Sequence, residues 1–533
     1  MFRVPRSVFY DAPVSVDDLR QQLRDRGYLT HGIERWFALD PWSSRTFWSE
    51  LFIVAAKAAI LIALFGALPM TAVMVVRNHP LSAFEILGLF LSYGFVWILA
   101  GFAFVVLIAL VLKIRPALPI DTPRALLIIS MFAAALLVAP IAIWWSRFDT
   151  APSLPELSSG VLLCAIFFLV ASIVVSAALL SFSIYELKRI PAIHQKRRGF
   201  PMTIAAAVLI ALLFVPALAD REAVMHAPMV VTTPTTRRIA LIAVDGLTWE
   251  ILQSRADLTR ALLHAAAIDP IPGESTTERW ATIGTGVSVE QHGVRAIEGI
   301  RFRGGSHILQ RISRADFLLR TIGQREPLPP TVRRRDYLWE IFAERGLPSV
   351  SVNWWATSDE QRGALTSISP DTIFVAAKAD PLRLDALAEE RFVRALATNP
   401  RFATVYLPAL DVILNRLELD QSAKLAQSLR ALDRVTGTVL QARNAGYDVL
   451  LTGMPGDGQR GKAVLASNVE FPAQTAWNVA PAILEAMGFP ASAEMSGARH
   501  AGIATYGARE SSAGAPTVNQ EYYDNLKSLG YIR

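Results

Sequence analysis

Five apolar runs in the amino-terminal 219 residues constrain this chain more than any other feature, because roughly 20 such residues wound as a helix span the about 30 Å of hydrocarbon in a bilayer. They lie at Phe47 to Val76, Ala83 to Leu112, Ala125 to Trp145, Gly160 to Tyr185 and Pro201 to Ala219. Trp42, Trp48, Trp144 and Trp145 fall at run edges, where indole rings favour the headgroup zone. The composition agrees: 52% hydrophobic and 18% charged residues among 533 is too apolar for an ordinary soluble enzyme. The first run begins too late and is too long for a cleavable signal peptide.

Orientation follows from Lys and Arg in the short flanking segments. Arg3, Arg6, Arg20, Arg24, Arg26, Arg35 and Arg45 precede the first run. Lys113, Arg115 and Arg124 fill the second connection, and Lys188, Arg189, Lys196, Arg197 and Arg198 the fourth. The first connection offers Arg77 and the third Arg147, the latter beside Asp149 and Glu156. The basic segments fall on one side, so the sequence predicts a multi-pass inner-membrane protein with a cytoplasmic amino terminus and everything beyond Asp220 outside, in the periplasm. The expected partition is a cytoplasmic segment (1–46), five spans (47–219), a linker (220–237) and an extracytoplasmic domain (238–533).

Smaller features fit this frame. Ser15, Asp18, Leu19, Leu23 and Gly27 predict one short cytoplasmic helix resting on the membrane surface. Lys57 and Glu85, near the ends of their runs, are expected to snorkel. The net charge of +6 is modest for this length and gives no support for nucleic-acid binding, leaving the lipid bilayer as the partner the sequence implies. The lone Cys164 allows no intrachain disulfide.

Beyond the Pro-bearing linker, buried-strand runs alternate with helical patterns. The runs are Ile239 to Val244, Pro348 to Val352, Ala403 to Leu407 and Tyr447 to Leu451; the helical patterns are Tyr337 to Arg345, Leu384 to Ala397, Gln421 to Ala442 and Asn478 to Met487. The alternation predicts an α/β domain with a mostly parallel central sheet and helices on both faces. Functional groups then collect beyond the carboxyl ends of the strands. Asp245 sits at such an end and reads either as a helix cap or as a ligand-holding carboxylate. Ser275 to Glu278 reads as a capping box, which places Thr276 in the first turn of a helix, beside free N–H groups and the positive end of the dipole.

From Asp245 onward the chain resembles the alkaline phosphatase superfamily, in its type I phosphodiesterase/nucleotide pyrophosphatase branch. The residues carrying the resemblance are Asp245-Gly246, Thr276, Thr285-Gly286 and His292-Gly293, with DYLWEIFAERGLPSVSVNWWAT at Asp336 to Thr357, VAPAILEAMGFP at Val479 to Pro490 and the closing LKSLGYI. The resemblance implies an alkaline phosphatase-like fold and a metal-dependent phosphoester hydrolase using two divalent cations, usually zinc. It further implies Thr276 as nucleophile, Asp245 as ligand of one metal and Asp411 of the other.

The chain then departs from that pattern. The family's His four residues after the second Asp is Asn415 here, its Asp-His-Gly is replaced by Gly453 and Met454 in LLTGMPGDG, and Arg460 to Asn468 holds no His. Two of six implied ligands remain, whereas zinc ordinarily takes three or four protein donors. Asp457 is a candidate substitute; His292, His307 and His500 are the candidate imidazoles, read as a packing residue and two loop residues. Arg333, Arg334 and Arg335 read as a solvated charge run able to meet anionic headgroups. Three readings stay open: a phosphodiesterase with an altered site, a phospholipid headgroup phosphotransferase on the architectural analogy of spans plus an outer domain, and a catalytically silent domain binding an anionic phosphoester, lipid headgroup or protein partner.

Overall fold

The computed structural model describes residues 47–78, 81–114, 123–148, 152–187, 200–215, 235–272, 275–302, 305, 307–496 and 519–532. The expected cytoplasmic helix near Ser15, most of the linker and His500 lie outside the described residues. The chain forms two compact units. One contains residues 1–221 together with Ile312–Ile322, and the other contains the remainder.

The first unit is helical: α1 (Phe47–Asn78), α2 (Ala83–Ile114), α3 (Pro123–Ser146), α4 (Leu154–Leu187) and α5 (Phe200–Leu213). Within α1 to α4, the stretches Leu51–Asn78, Ala83–Val111, Leu127–Ser146 and Leu154–Leu179 are long and apolar enough to cross a membrane. The fifth expected run is helical over Phe200–Leu213, 14 residues. Helix α1 packs on α2 and α4, and α3 on α4. Small residues make the approach close: a Cβ on Gly66 would lie 2.9 Å from the Trp97 ring, and one on Gly101 would lie 3.0 Å from Ile62.

Two buried charges of this unit are paired with each other. Arg77 donates to Glu156 at 2.8 Å with both side chains buried, and Trp145 Nε1 donates to the same oxygen at 2.5 Å. Glu85 corrects the snorkelling expectation. It is 1% exposed and accepts from the Ser82 backbone N–H at 2.7 Å while Ser82 Oγ accepts from the Glu85 N–H at 3.3 Å, so it caps the start of α2.

The second unit is the α/β domain. The strands of its main sheet are β1 (Ile239–Asp245), β2 (His264–Ile268), β6 (Ser349–Val352), β7 (Glu360–Arg362), β8 (Leu365–Ile368), β9 (Phe402–Leu407), β10 (Asp448–Met454) and β11 (Ala463–Ser467). These eight lie in the order β2-β11-β10-β1-β9-β6-β8-β7. The five central strands, β10 to β8, run parallel, and β11 and β7 turn antiparallel towards the edges. Strands β3 (Glu298–Arg301), β4 (Ile308–Leu309) and β5 (Gln324–Pro327) make a small antiparallel sheet of their own.

Successive strand side chains point to opposite faces, yet every residue of β1, β6 and β9 is buried, so both faces of the sheet centre are covered. The helices that position the site are α6 (Thr276–Thr285), α7 (Leu338–Glu344), α8 (Pro381–Leu396), α9 (Gln421–Asn444), α10 (Val479–Ala486) and α11 (Gln520–Ser528). Helix α8 packs on β9 and β6, and α9 on β10 and β1. Beside β9 an aromatic cluster fills the core: Trp280 lies 5.4 Å from Tyr406 and 6.0 Å from Trp354 between ring centres.

Candidate functional site

Strand β1 is flanked by β10 and β9, so the carboxyl ends of three neighbouring strands converge where an open α/β sheet places its chemistry. Asp245 is the last residue of β1 and stands opposite Met454 of β10. Gly246 follows at φ +84°, and a Cβ there would lie 2.6 Å from the Asp411 backbone nitrogen, so only glycine lets the turn after β1 pass this close. Asp245 is not a helix cap: the following short helix is capped by Thr248, whose hydroxyl accepts from the Ile251 N–H.

Asp245 is fully buried. Its Oδ2 accepts from the Tyr406 hydroxyl at 2.9 Å, while Oδ1 has no hydrogen-bond partner among the described residues. Burial first, and then the nearby Asp411 charge, push its carboxyl up to about 7 against the opposing pull of Arg279 and Arg416. Burial likewise holds the Tyr406 phenol well above its ordinary range, which keeps it a donor.

Thr276 is the first residue of α6, 2% exposed, with Ser275 as the N-cap accepting from the Glu278 N–H at 3.1 Å. The predicted box is half made, since the Glu278 carboxylate faces Arg311 at 3.5 Å. Thr276 Oγ1 accepts a hydrogen bond from Arg416 at 3.1 Å.

Arg416 organises the site, and the sequence reading missed it. Residues Val412–Arg416 form a π-helical turn directly after Asp411. This turn brings both the fourth and the fifth residue back onto the carboxylate. Asn415 Nδ2 donates to Asp411 Oδ1 at 2.9 Å, and Arg416 Nε donates to Oδ2 at 2.6 Å. The Asp457 N–H is the third donor to this carboxylate and the second on Oδ1, at 2.8 Å. The guanidinium also lies over the Tyr531 ring at 4.2 Å, with NH1 3.6 Å from the Asp457 carboxylate. Burial opposes its charge, but Tyr531, Asp411 and Asp245 outweigh burial and hold it above its ordinary value. The available signal was a cation five residues after Asp411, beside the Asn that stands in the imidazole position.

The loop after β10 closes over this arrangement. A Cβ on Gly456 would overlap both Asp411 Oδ1 and Asn415 Nδ2, so glycine is required there. Arg279, one turn into α6, donates to the Pro455 carbonyl at 2.8 Å.

The other sequence candidates fall elsewhere. His292 is buried, accepts at Nδ1 from the Val294 N–H at 3.1 Å and therefore presents Nε2–H to Thr282 at 3.0 Å. Burial, with Arg295 and Arg333 nearby, lowers its imidazole to about 3, so it is a neutral packing residue. His307 precedes β4 in the small sheet. The solvated-run expectation for Arg333 to Arg335 is overturned at two of three positions: Arg333 is fully buried and forked onto Glu340 at 2.5 and 2.6 Å, and Arg335 forks onto Glu494 at 2.6 and 3.0 Å. Planar two-point pairing with a carboxylate makes burial of such charges tolerable.

Residues 239–453 match the family model of type I phosphodiesterase / nucleotide pyrophosphatase, the stretch that contains β1, α6, β9 and nearly all of β10. The match places this stretch in the alkaline phosphatase superfamily. Two solved structures of phosphonoacetate hydrolase from Sinorhizobium meliloti 1021 are also similar. The phosphonoformate complex aligns at 12% identity and a TM-score of 0.31, and the phosphonoacetate complex at 11% and 0.29. Each alignment covers 42% of this chain, which spans 58% of the length of those chains. Among curated proteins nothing matches.

The alkaline phosphatase superfamily is metal-dependent. The donor set found here does not fit a zinc pair. Among the described residues no three His, Cys, Asp or Glu side chains come together as a metal site. Both oxygens of Asp411 are occupied by donors of the chain itself, and Asn and Met are poor replacements for imidazole and carboxylate. The Asp457 carboxylate, the candidate substitute ligand, faces Arg416 instead.

Proposed function

We propose that this is a multi-pass protein anchored in the inner membrane, carrying an extracytoplasmic domain of type I phosphodiesterase descent that does not run metal-dependent hydrolysis. Its role is to bind an anionic phosphoester or lipid headgroup. The observation that carries this reading is the Arg416 guanidinium, which fills the space between Asp411 and Thr276 with a cation belonging to the chain. A hydrogen bond from arginine to Thr276 stabilises negative charge on that oxygen but removes no proton. His292 is committed to Thr282 and His264 starts the edge strand β2, so among the described residues no imidazole pairs with Thr276 to act as an activating base.

The same geometry supports anion binding. Arg416 is 4% exposed and its partner Asp457 is 48% exposed, so Asp457 is the water-facing member of the pair. An incoming phosphoryl oxygen takes the place of that carboxylate on the guanidinium, next to the first turn of α6.

Metal analysis of the purified full chain, together with hydrolysis of bis-p-nitrophenyl phosphate by the chain and by Thr276→Ala, tests the reading. The expected result is less than one zinc per chain and equal background rates. Two bound zinc ions with turnover abolished by Thr276→Ala would show an active phosphodiesterase, and transfer of a headgroup from labelled phospholipid would show a phosphotransferase.

A further inference from the structure

Residues Ile312–Ile322 leave the α/β domain and belong to the helical unit. Their attachment is polar and buried. Ser313 Oγ donates to the Trp144 carbonyl at 2.5 Å, and the Arg314 N–H donates to the Arg147 carbonyl at 3.0 Å. Asp316, 3% exposed, accepts from the Tyr93 hydroxyl at 2.6 Å and from Trp144 Nε1 at 3.0 Å, while its other oxygen accepts from the Leu319 N–H at 3.0 Å and so starts the short Phe317–Ile322 helix.

That helix divides its apolar residues. Leu319 is fully buried, whereas Phe317 is 79% and Ile322 is 43% exposed. An exposed phenyl ring directly after a buried capping carboxylate has no packing role within the unit. The indole and phenol donors that hold Asp316 belong to the last turn of α3 and to the amino-terminal third of α2, and aromatic groups with a polar tip favour the level of the headgroups. Arg320 lies exposed within the helix, and Asp316 is the only acid of the segment. Exposed aromatic and aliphatic groups beside an arginine match an anionic lipid surface.

We infer that the Phe317–Ile322 helix is a membrane-interface anchor, with Phe317 and Ile322 entering the headgroup boundary and Arg320 meeting lipid phosphates. The inference rests on the membrane-spanning reading of α1 to α4. It assigns to residues 312–322 the task of holding lipid as well as Trp144.

The test uses the full chain with Cys164→Ala and one new cysteine at a time, Phe317→Cys, Phe132→Cys or Glu390→Cys, labelled with an environment-sensitive dye. Each is reconstituted into vesicles of phosphatidylcholine and phosphatidylglycerol. Phe132 is a 67% exposed side chain within α3, and Glu390 is a 54% exposed residue of α8. Lipids carrying a quencher near the headgroup should quench the dye at 317 at least about twofold more than at 390, and lipids with a deep quencher should act most at 132. Quenching at 132 with none above the 390 level at 317 would overturn the anchor and leave the membrane reading standing. Deep quenching at 317 equal to that at 132 would overturn the interfacial placement. No quenching at 132 would remove the membrane reading and the anchor with it.

Discussion

Asp411 shows how one turn of backbone can remake a site. A regular helix returns the fourth residue to face the first; the π turn returns the fifth as well, so Asn415 and Arg416 saturate one carboxylate. The pair is buried, with side-chain exposures of 4% for Arg416 and 0% for Asp411. Removing one partner of such a pair leaves an uncompensated charge and costs about 3–5 kcal/mol, whereas removing both is far milder. Arg416→Ala is therefore expected to unfold the purified chain well below the wild-type temperature, and Asp411→Ala combined with Arg416→Ala to recover much of the loss. Equal melting temperatures for the single and double variants would mean the pair is not coupled as described. Asp245 and Thr276 were legible as strand-end and helix-start residues, because such positions are set by local pattern, whereas Asp411 came only from the family resemblance. Arg416 was not, because its role depends on a π turn that leaves no periodic trace.

Elements with strong burial patterns were read close to their bounds. Strand β9 runs from Phe402 to Leu407 against an expected start at Ala403, and α9 from Gln421 to Asn444 against an expected end at Ala442. Strand β2 escaped notice because His264 to Ala267 are exposed and three of the four are alanine, a residue that favours helix and carries no alternation. The small sheet escaped because β4 is only two residues long.

Helix α8 holds a carboxyl that no sequence pattern announces. Asp385 is buried and accepts from the Ala409 N–H at 3.1 Å, tying the helix to the turn after β9. Burial chiefly raises its carboxyl from 3.8 to about 8, the Ala409 bond and Arg434 opposing and Glu389 assisting. The folded chain thus keeps a proton that the unfolded chain loses above pH 3.8, so stability falls as pH rises through that interval towards 8. Asp385→Asn should remove this slope, melting close to wild type at pH 5 and above it at pH 8. Parallel melting curves for the two proteins across that range would refute a buried neutral carboxyl.

At the scale of the whole molecule, the side on which the α/β domain sits depends on the number of crossings. Among the described residues four helices are long and apolar enough to cross, and α5 is helical over 14 residues from Phe200 into the fifth apolar run. Four crossings return the chain to the side of its amino terminus; a fifth places the domain opposite. The orientation we propose takes the second, on the charge pattern. Lys188, Arg189, Lys196, Arg197 and Arg198 lie between α4 and α5, whereas the connection between α3 and α4 carries Arg147 with Asp149. Retention of the five-residue basic cluster in the cytoplasm requires Pro201 to Ala219 to cross. In intact cells of a Cys164→Ala background, a membrane-impermeant maleimide is therefore expected to modify cysteines placed at Ser153 and Lys378 and to spare one placed at His194. Replacing Lys196, Arg197 and Arg198 by glutamine should weaken that asymmetry, since it is the basic side chains, and not the apolar run, that fix direction. If His194→Cys and Lys378→Cys are labelled alike before the cells are broken, the fifth run does not cross and the domain faces the same compartment as the amino terminus.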